Sequence, residues 1–418
     1  MAGAADLTTS AAILKQLYQN GDVPQELYRN NNFVQWVPKQ ENFKGKPEII
    51  AVNTETTQGG SANFTSALAN LKGGAYSQFQ VNRVKDYSIA RIDGEAYLAA
   101  DGDSGSLVNL WKREMDLAML AGVRQLGIMA FRSGTGSRGR ISAGSNVATN
   151  QVTLATISDI TNFAIGMPVN ASAADGGATR NASAVEVIAG IDRVNGTLTS
   201  TSVTWATVIA AIAASDFLYR NGDAANGGTN VTFTGMGGWI PGGTTPGTLF
   251  SLNRNTDPVA LAGQLFNASA FPIEEAVIEA IARTGVEGGQ PDTIILHPRE
   301  KATLVKSLET KTRYNKEGTA KLAQHDAAVG FDVVEFESDY GGISIISDMN
   351  CPRNSGWLLQ KDTWFLGSIG KAPRIQDFDS LQMIRVSTED SLEVRIFTYG
   401  QFVCRAPRWN TQISNLGT

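Results

Sequence analysis

The chain has 418 residues, of which 42% are hydrophobic, and a formal net charge of −5 at pH 7. This length supports two or three domains with an ample core. The acidic balance argues against a chain specialised for wrapping nucleic acid, although it allows passive contact with DNA. No apolar run is long enough to span a bilayer.

The numbers of histidines and cysteines limit the catalytic and metal chemistry that the chain can carry out, and they indicate its cellular compartment. The chain has two histidines, His297 and His325, and no Cys or His spacing typical of a metal site. We therefore expect no enzyme activity, no metal and no cofactor. Cys351 and Cys404 lie far apart, and we interpret them as reduced core residues. The opening sequence MAGAADLTTS lacks the pattern of a signal peptide, so a cytosolic origin is favoured.

The first predicted elements are a short helix and an arm. The helix spans residues 8–20, and its apolar face comprises Ile13, Leu14, Leu17 and Tyr18. The segment that follows, to about residue 47, carries scattered aromatic residues such as Trp36 but little periodicity. Such a segment cannot build a core alone. We expect it to lie on its own chain or on a neighbouring copy.

The pattern of residues 47–98 predicts a long two-stranded hairpin. PEIIAVNTET is the outgoing strand, and residues 76–98 form the return strand. The polar stretch between them keeps three apolar residues at helix-like spacing, which are Phe64, Leu68 and Leu71. One interpretation is a surface hairpin with a floppy tip. The other is a projecting loop that packs on another subunit, which explains the three apolar groups.

The longest predicted helix runs from about Ser104 to Arg132, and we treat it as the spine of the fold. At ~1.5 Å per residue it would be roughly 40 Å long, so it must lie along a sheet or several elements. Gly134 is placed to end the helix. The predicted buried face follows spacings of three, four and seven and comprises Leu107, Leu110, Trp111, Leu117, Ala118, Ala121 and Ile128.

After the spine, the composition shifts toward Ala, Thr, Gly, Ser and Asn. Residues 141–252 contain no lysine. Their predicted strands are NQVTLA, AIGMPVNA, AVEVIAGIDR, GTLTS and FLYRNG, with Asn195-Gly196 as a hairpin turn and a short helix over 206–214. We predict a small, mostly β domain inserted into a larger one.

The remaining chain predicts a body of helices and strands. A helix covers residues 272–285, and its buried face comprises Ile273, Val277, Ala280 and Ile281. Strand, turn and helix follow over 292–309. Two strands are predicted within 330–351, another pair within 356–368, and two long strands within the last forty residues. The body is therefore α+β with a mixed sheet.

Three short motifs resemble catalytic or ligand sites, and each lacks a required partner. Gly102–Gly105 reads GDSG, the nucleophile signature of trypsin-like proteases, but both histidines follow it, whereas that family's histidine comes first. The same stretch begins like a calcium loop but has Lys112 where glutamate is needed. A dinucleotide-like pattern of Gly134, Gly136 and Gly139 follows a helix, not a strand. Helix capping and a glycine-rich helix exit explain these residues, and a serine hydrolase is the least favoured function.

The order of these parts resembles the major capsid proteins of tailed bacteriophages, with the Hong Kong 97 type fold. The resembling pieces are the arm around Tyr28 to Phe43, the hairpin from Glu48 to Ile92, the spine from Leu107 to Phe131, the exit FRSGTGSRGRI, TIILHPREKATLVKSL and AAVGFDVVEFESDYGGISIISD. The resemblance covers nearly all of the chain except the inserted domain.

The resemblance implies an α+β capsid fold divided into seven parts. These are an N-terminal arm (1–44), an extended loop with its strands (45–98), the spine helix of a peripheral domain (99–140), the inserted β-rich domain (141–252), a backing helix (253–290), an axial domain (291–372) and C-terminal strands shared by the peripheral and axial domains (373–418). The implied function is self-assembly, as hexamers and pentamers, into an icosahedral shell around double-stranded DNA. An encapsulin-like compartment is the alternative.

The resemblance also implies partners and a location. Because the chain starts almost directly with the arm, we expect a separate scaffold protein, together with a portal and decoration proteins. The expected location is the virion, after assembly in the host cytoplasm, with no membrane contact. The candidate residues for contact between subunits are Ile13, Leu14, Leu17, Tyr18, Trp36, Phe64, Leu68 and Leu71.

Overall fold

The computed structural model describes residues 31–43, 45, 47–96, 110–228, 230–241, 243, 245–312, 334–338, 341–376 and 384–417. Its helices are α1 (Asn32–Trp36), α2 (Phe64–Ala69), α3 (Leu110–Met129), α4 (Trp205–Val208), α5 (Met236–Trp239), α6 (Pro258–Ala262), α7 (Ile273–Val286) and α8 (Pro298–Thr312). The helix predicted over residues 8–20, the Leu107 position of the spine and the GDSG motif lie outside the described residues.

The strands up to residue 220 are β1 (Lys39–Gln40), β2 (Glu48–Glu55), β3 (Ala75–Val81), β4 (Val84–Asp93), β5 (Ser137–Arg140), β6 (Gln151–Thr153), β7 (Pro168–Ser172), β8 (Glu186–Asp192), β9 (Thr197–Ser200) and β10 (Phe217–Arg220). The later strands are β11 (Thr248–Leu249), β12 (Leu252–Asn253), β13 (Gln264–Asn267), β14 (Thr293–Leu296), β15 (Val334–Ser338), β16 (Gly341–Ser347), β17 (Ser355–Leu359), β18 (Trp364–Ser368), β19 (Arg374–Ile375), β20 (Ile384–Arg385), β21 (Ser391–Cys404) and β22 (Thr411–Ser414).

The first large sheet is organised around β21. It has the order β1-β18-β21-β19, and β4 and β20 also pair with β21. The β4–β21 ladder is antiparallel and runs from Val84 opposite Gly400 to Asp93 opposite Ser391. We call this the frame sheet. The sequence predicts two long strands in the last forty residues. The second is the long strand β21, whereas most of the first lies outside the described residues, which include Ile384–Arg385 of it.

Helix α3 lies along the β4–β21 ladder. Ala118 is buried there with Ala90, Val394 and Ile396, and Met115 and Met119 pack against the same cluster. Two residues of the predicted face, Ala118 and Ile128, are buried, but Ala121 is exposed and Leu117 is only half-buried. The contact face is therefore rotated from the predicted one, because the facing sheet selects the stripe with small and flexible residues.

The arm packs on its own chain over the described residues. Phe33 is fully buried, and its ring centroid lies 5.7 Å from that of Phe402 and 5.8 Å from that of Phe131. Strand β1 pairs in parallel with β18, with Lys39 opposite Leu366. The sequence left open whether this segment lies on its own chain or on a neighbouring copy. Over the described residues, it contacts its own chain. Phe33 belongs to the main aromatic core, which also buries Trp239, Trp357 and Trp364.

The second sheet is drawn from residues 137–220 and has the order β5-β10-β7-β8-β9-β6. We call it the insert sheet. It has its own core, which includes Phe163, Trp205 and Leu218. Strands β8 and β9 form the predicted hairpin, and Gly196 has a φ of +66°, which suits glycine. The helix predicted over 206–214 is shorter, because only Trp205–Val208 are helical.

The third sheet is mixed and has the order β13-β22-β17-β14-β16-β15. Strand β14 pairs in parallel with β16 and antiparallel with β17. Helix α7 packs in the same core, and all four residues of its predicted face are buried. Although β17 and β18 are adjacent in sequence, they belong to different sheets. The chain thus passes from the third sheet to the frame sheet between them.

The return strand predicted over residues 76–98 is two strands. Strand β3 pairs with β2, whereas β4 pairs with β21. The break falls at Asn82 and Arg83, where the chain leaves the hairpin and enters the frame sheet. In the described part of the chain, no helix combines the length and apolar character needed to cross a membrane.

Candidate assembly surfaces

The β2–β3 hairpin is a two-stranded sheet of its own, paired from Glu48 opposite Val81 to Glu55 opposite Ala75. Its root joins the main core, and Ile50 and Val52 of β2 also pack against that core. Phe79 and Val81 are fully buried, and the ring centroid of Phe79 lies 5.2 Å from that of Trp239. Toward the other end, side chains of β2 alternate between half-buried and exposed. The hairpin is therefore anchored at its root, and at its far end Glu55 and Lys72 line a cavity together with Asp257 and Arg408 of the body.

The tip of this hairpin is structured by polar contacts. Asn63 caps α2, since its side-chain oxygen accepts a hydrogen bond from the Thr65 N–H at 2.9 Å. Gln58 and Lys72 exchange backbone hydrogen bonds of 2.9 Å. Lys72 Nζ also lies 2.6 Å from a carboxylate oxygen of Glu55. These polar contacts order the tip, and none of them involves its apolar side chains.

The three apolar side chains singled out from the sequence are exposed on this tip. The exposed fractions are 82% for Phe64, 61% for Leu68 and 68% for Leu71. Phe64 and Leu68 are four residues apart and share one face of α2. Clustered apolar groups that are ordered yet exposed are typical of an interaction surface. We call these three residues the tip cluster.

The other candidate assembly residues are placed differently. Trp36 is half-buried within the chain: its Nε1–H donates to Thr293 Oγ1 at 3.1 Å, and its ring stacks on Phe33 at 5.8 Å. These contacts account for Trp36 without a neighbouring subunit. The remaining four, Ile13, Leu14, Leu17 and Tyr18, lie outside the described residues.

A groove at the hairpin root was missed by sequence reasoning. Its volume is about 300 Å³, and its walls come from the arm, the β3–β4 turn, the end of β18 and β21; they are Phe43, Gly45, Pro47, Asn82, Arg83, Val84, Lys85, Ile369 and Tyr399. Arg83 lies over the Phe43 ring at 5.4 Å and donates to the Phe43 carbonyl oxygen. The lining residues come from four separate segments, so no local pattern signals this groove.

A buried group of charges joins the insert sheet to the frame sheet and the spine. Arg220 Nη2 lies 2.8 Å from Asp86, and its Nε lies 2.8 Å from Asp223. Gln125 of α3 donates to Asp223 at 3.1 Å. Burial raises the pKa of Asp86 despite the nearby Arg220, and burial next to Arg220 lowers the pKa of Arg138 to about 9. These buried ion pairs and hydrogen bonds hold the inserted segment against the frame sheet and the spine helix.

The glycine-rich helix exit has a structural role. Residues 137–140 form β5, and the Arg138 side chain is buried, with Nη1 donating to the Asn162 carbonyl oxygen at 2.8 Å. Arg138 is therefore committed to contacts within the chain and does not present an anion site. Cys351 and Cys404 are buried free thiols, and burial raises the pKa of Cys404 to about 12. Among the described residues, no cluster of His, Cys, Asp or Glu could hold a metal ion.

Comparison with known protein families and sequences gives one match. Residues 213–408, a little under half of the chain, match the family described as SU10 major capsid protein. The matched segment covers the last strand of the insert sheet, the third sheet except β22, and most of the frame sheet. No curated protein sequence matches the chain.

Solved structures resemble nearly the whole chain. The cyanophage A-1(L) capsid asymmetric unit has a TM-score of 0.55 and 11% identity, over 96% of each chain. The holo-SrpI encapsulin complex from Synechococcus elongatus PCC 7942 has a TM-score of 0.46 and 7% identity, over 98% of this chain and 95% of that one. Mycobacterium phage Bobi gives 0.46 and 9%, over 99% of each. At such identities the likeness concerns the fold, and the cyanophage match confirms the fold class predicted from the sequence.

Proposed function

We propose that this chain, a phage shell-forming protein with the Hong Kong 97 type capsid fold, assembles as hexamers and pentamers into an icosahedral shell around double-stranded DNA. The observation that carries the proposal is the tip cluster. Phe64, Leu68 and Leu71 are exposed on an ordered tip, at the end of a two-stranded hairpin. A projection of this kind is completed by contacts from neighbouring copies.

The proposed shell agrees with the charge of the chain. A net charge of −5 is compatible with a container that must release its contents, because many phosphate contacts would hold DNA tightly. The proposed partners are further copies of the chain, a separate scaffold protein, a portal and decoration proteins. The proposed location is the virion, after assembly in the host cytoplasm, and we propose no catalytic role for the chain.

Negative-stain electron microscopy of the purified chain tests this function, alone and with the products of neighbouring genes. Uniform closed shells are expected. Shells that contain nuclease-protected DNA support the proposal, whereas shells filled with a cargo enzyme point to an encapsulin-like compartment. A monodisperse monomer under every condition contradicts the proposed function.

A shortened hairpin gives a sharper test. Replacing residues 56–74 by a short turn keeps the paired ends Glu55 and Ala75 in register and removes the tip cluster. We expect a folded subunit, judged by circular dichroism and cooperative unfolding, that forms no stable shells. Val203→Ser is the control, because Val203 is 84% exposed outside the hairpin and should assemble normally. Normal particles from the shortened chain would contradict the role given to the tip.

A further inference from the structure

We propose that Asn221 is a site of spontaneous deamidation, and that its conversion weakens the hold of the inserted segment on the body. Asparagine is a thermolabile residue, and it loses its amide group most readily when glycine follows it. Asn-Gly occurs four times in the chain, and three of these pairs lie in the inserted segment: Asn195-Gly196, Asn221-Gly222 and Asn226-Gly227. The fourth, Asn20-Gly21, lies outside the described residues.

The reaction starts when the backbone nitrogen of the following residue attacks the side-chain carbonyl carbon of the asparagine. A new C–N bond forms, the bond to the NH2 group breaks, and ammonia leaves with the proton of the backbone N–H. Solvent water then opens the resulting five-membered succinimide to aspartate or isoaspartate, without any oxidant or reductant. A reactive site therefore needs an unrestrained side-chain amide, an unrestrained backbone N–H and room for the ring.

The Asn221-Gly222 pair meets these three requirements. Both residues are exposed in the turn that follows β10. Within the described part of the chain, neither the Asn221 side chain nor the Gly222 N–H has a hydrogen-bond partner. A Cβ placed on Gly222 would meet nothing within 4 Å, so the ring can form there without a collision.

The Asn195-Gly196 pair is restrained by a carboxylate. The Asn195 side-chain Nδ2 donates to the Asp192 carboxylate at 2.6 Å. This negative charge also opposes the loss of a proton from the nearby Gly196 nitrogen. In addition, Gly196 is buried, and a Cβ on it would lie 3.1 Å from Ile157, which leaves little room for a ring.

The Asn226-Gly227 pair is restrained at both reacting groups. The Asn226 side-chain oxygen accepts hydrogen bonds from the Thr179 N–H at 2.9 Å and from the Thr179 hydroxyl at 3.2 Å. The attacking group, the Gly227 N–H, donates to the Gly176 carbonyl oxygen at 2.8 Å. Ring closure at Asn226 must therefore break hydrogen bonds that Asn221 does not make.

The position of Asn221 gives its conversion a structural consequence. The preceding residue, Arg220, forms the ion pairs of 2.8 Å with Asp86 and Asp223. The turn between these charges is closed by the Asp223 N–H, which donates to the Arg220 carbonyl oxygen at 3.0 Å. Deamidation adds a negative charge in this turn, and isoaspartate also adds one methylene to its backbone. Both changes disturb the alignment of Arg220 with its two carboxylates.

Mass spectrometry of the purified full chain, aged in mildly alkaline buffer and digested with trypsin, tests the site. Exchange of NH2 for OH changes the peptide mass, and fragmentation assigns the change to one asparagine. Asn221 should convert about tenfold faster than Asn195 or Asn226, because their restraining hydrogen bonds must break first. The chain unfolded in guanidinium chloride is the control, and its three rates should be similar. Conversion of Asn195 or Asn226 in the folded chain at the same rate as Asn221, or faster, overturns the proposal.

Thermal unfolding of the aged protein tests the structural consequence. The melting temperature of the unmodified chain should fall as Asn221 converts, whereas Asn221→Gln should keep its melting temperature, because the longer side chain closes a ring far more slowly. Asn226→Gln is the matched control and should age like the unmodified chain. An unchanged melting temperature after conversion, or an equal fall in Asn221→Gln, overturns the link to the inserted segment. These outcomes do not depend on whether the chain forms shells.

Discussion

Asp86 of β4 and Arg220 of β10 are 134 positions apart in sequence and form an ion pair of 2.8 Å. The same guanidinium binds Asp223, and Asp223 accepts a hydrogen bond from Gln125 of the spine helix. One arginine therefore connects the insert sheet, the frame sheet and the spine. Because these charges are largely buried, their pairing contributes to holding the inserted segment on the body, together with the Arg132–Asp159 ion pair of 2.6 Å.

Replacing Arg220 with methionine should lower the free energy of unfolding by about 2–5 kcal/mol, because Asp86 would lose its ion-pair partner in a poorly solvated site and Asp223 would keep only Arg138, at 3.7 Å. Urea denaturation followed by tryptophan fluorescence measures the loss. Arg193→Met is the control, since Arg193 is exposed in the turn between β8 and β9 and should change stability little. Equal midpoints for the two variants would show that the charge group adds no stability.

The face of the spine helix can be tested with two neighbouring alanines. Ala118→Asp should unfold the subunit or leave it insoluble, because a carboxylate placed against Ala90 and Val394 costs several kcal/mol. Ala121→Asp is the matched control; Ala121 is exposed, one turn along the same helix, and the variant should stay folded. Yields of soluble protein and thermal unfolding decide the outcome. A stable Ala118→Asp subunit would contradict the observed packing of α3.

Gly136 is required by its backbone and by its surroundings. It has a φ of +92°, and a Cβ there would collide with the carbonyl oxygen of Asp223. Gly136→Ala should therefore cost more than about 2 kcal/mol, since both strain and the clash oppose it. Gly144→Ala is the control, because a Cβ at Gly144 meets nothing within 4 Å. Thermal unfolding of both variants measures the difference, and similar melting temperatures would refute the prediction.

Glu300 gives a prediction about pH. Burial raises its pKa, but the adjacent His297 side chain and hydrogen bonds from the Arg353 side chain and the Asn354 backbone outweigh that effect and lower the pKa to about 2, from an ordinary value of 4.5. A lowered pKa means that the folded state favours the charged carboxylate. The stabilisation is therefore complete above the unfolded pKa and is lost as the pH falls through the folded pKa.

The test compares unmodified protein with Glu300→Gln. The unmodified protein should be more stable near neutral pH, and the difference should shrink between about pH 6 and about pH 3 as the carboxylate of the unfolded chain becomes protonated. Glu275→Gln is the control, because Glu275 is exposed and should show no comparable pH-dependent difference. A constant gap across this range would exclude a lowered pKa at Glu300.

Local patterns in the sequence were sufficient for much of the secondary structure. The buried face of α7, the strand–turn–helix of β14 and α8 and the β8–β9 hairpin all follow from side-chain periodicity and turn residues. The residues of the tip cluster were also identified from the sequence, because apolar side chains within a polar stretch indicate a contact surface. Each of these patterns extends over only a few neighbouring residues, so it can be recognised directly in the sequence.

The predictions that failed depended on distant partners. Nothing near Asn82 indicates that β4 leaves β3 and pairs with β21, some three hundred residues later. Likewise, the spine helix presents several apolar stripes, and only the facing ladder decides that Met115, Ala118 and Met119 are covered while Ala121 is not. Strand pairing and helix packing join segments from far apart in the chain.

The sequence alone established the α+β class, the order of the elements and an exposed apolar tip, because periodicity, turn chemistry and composition are local properties of the chain. The tertiary structure decided which strands share a sheet, that Phe33 of the arm belongs to the main core, that Arg220 holds the insert to the frame, and that a groove lies at the hairpin root. Each of these depends on side chains that meet only after folding, since burial and charge pairing are properties of the assembled three-dimensional neighbourhood.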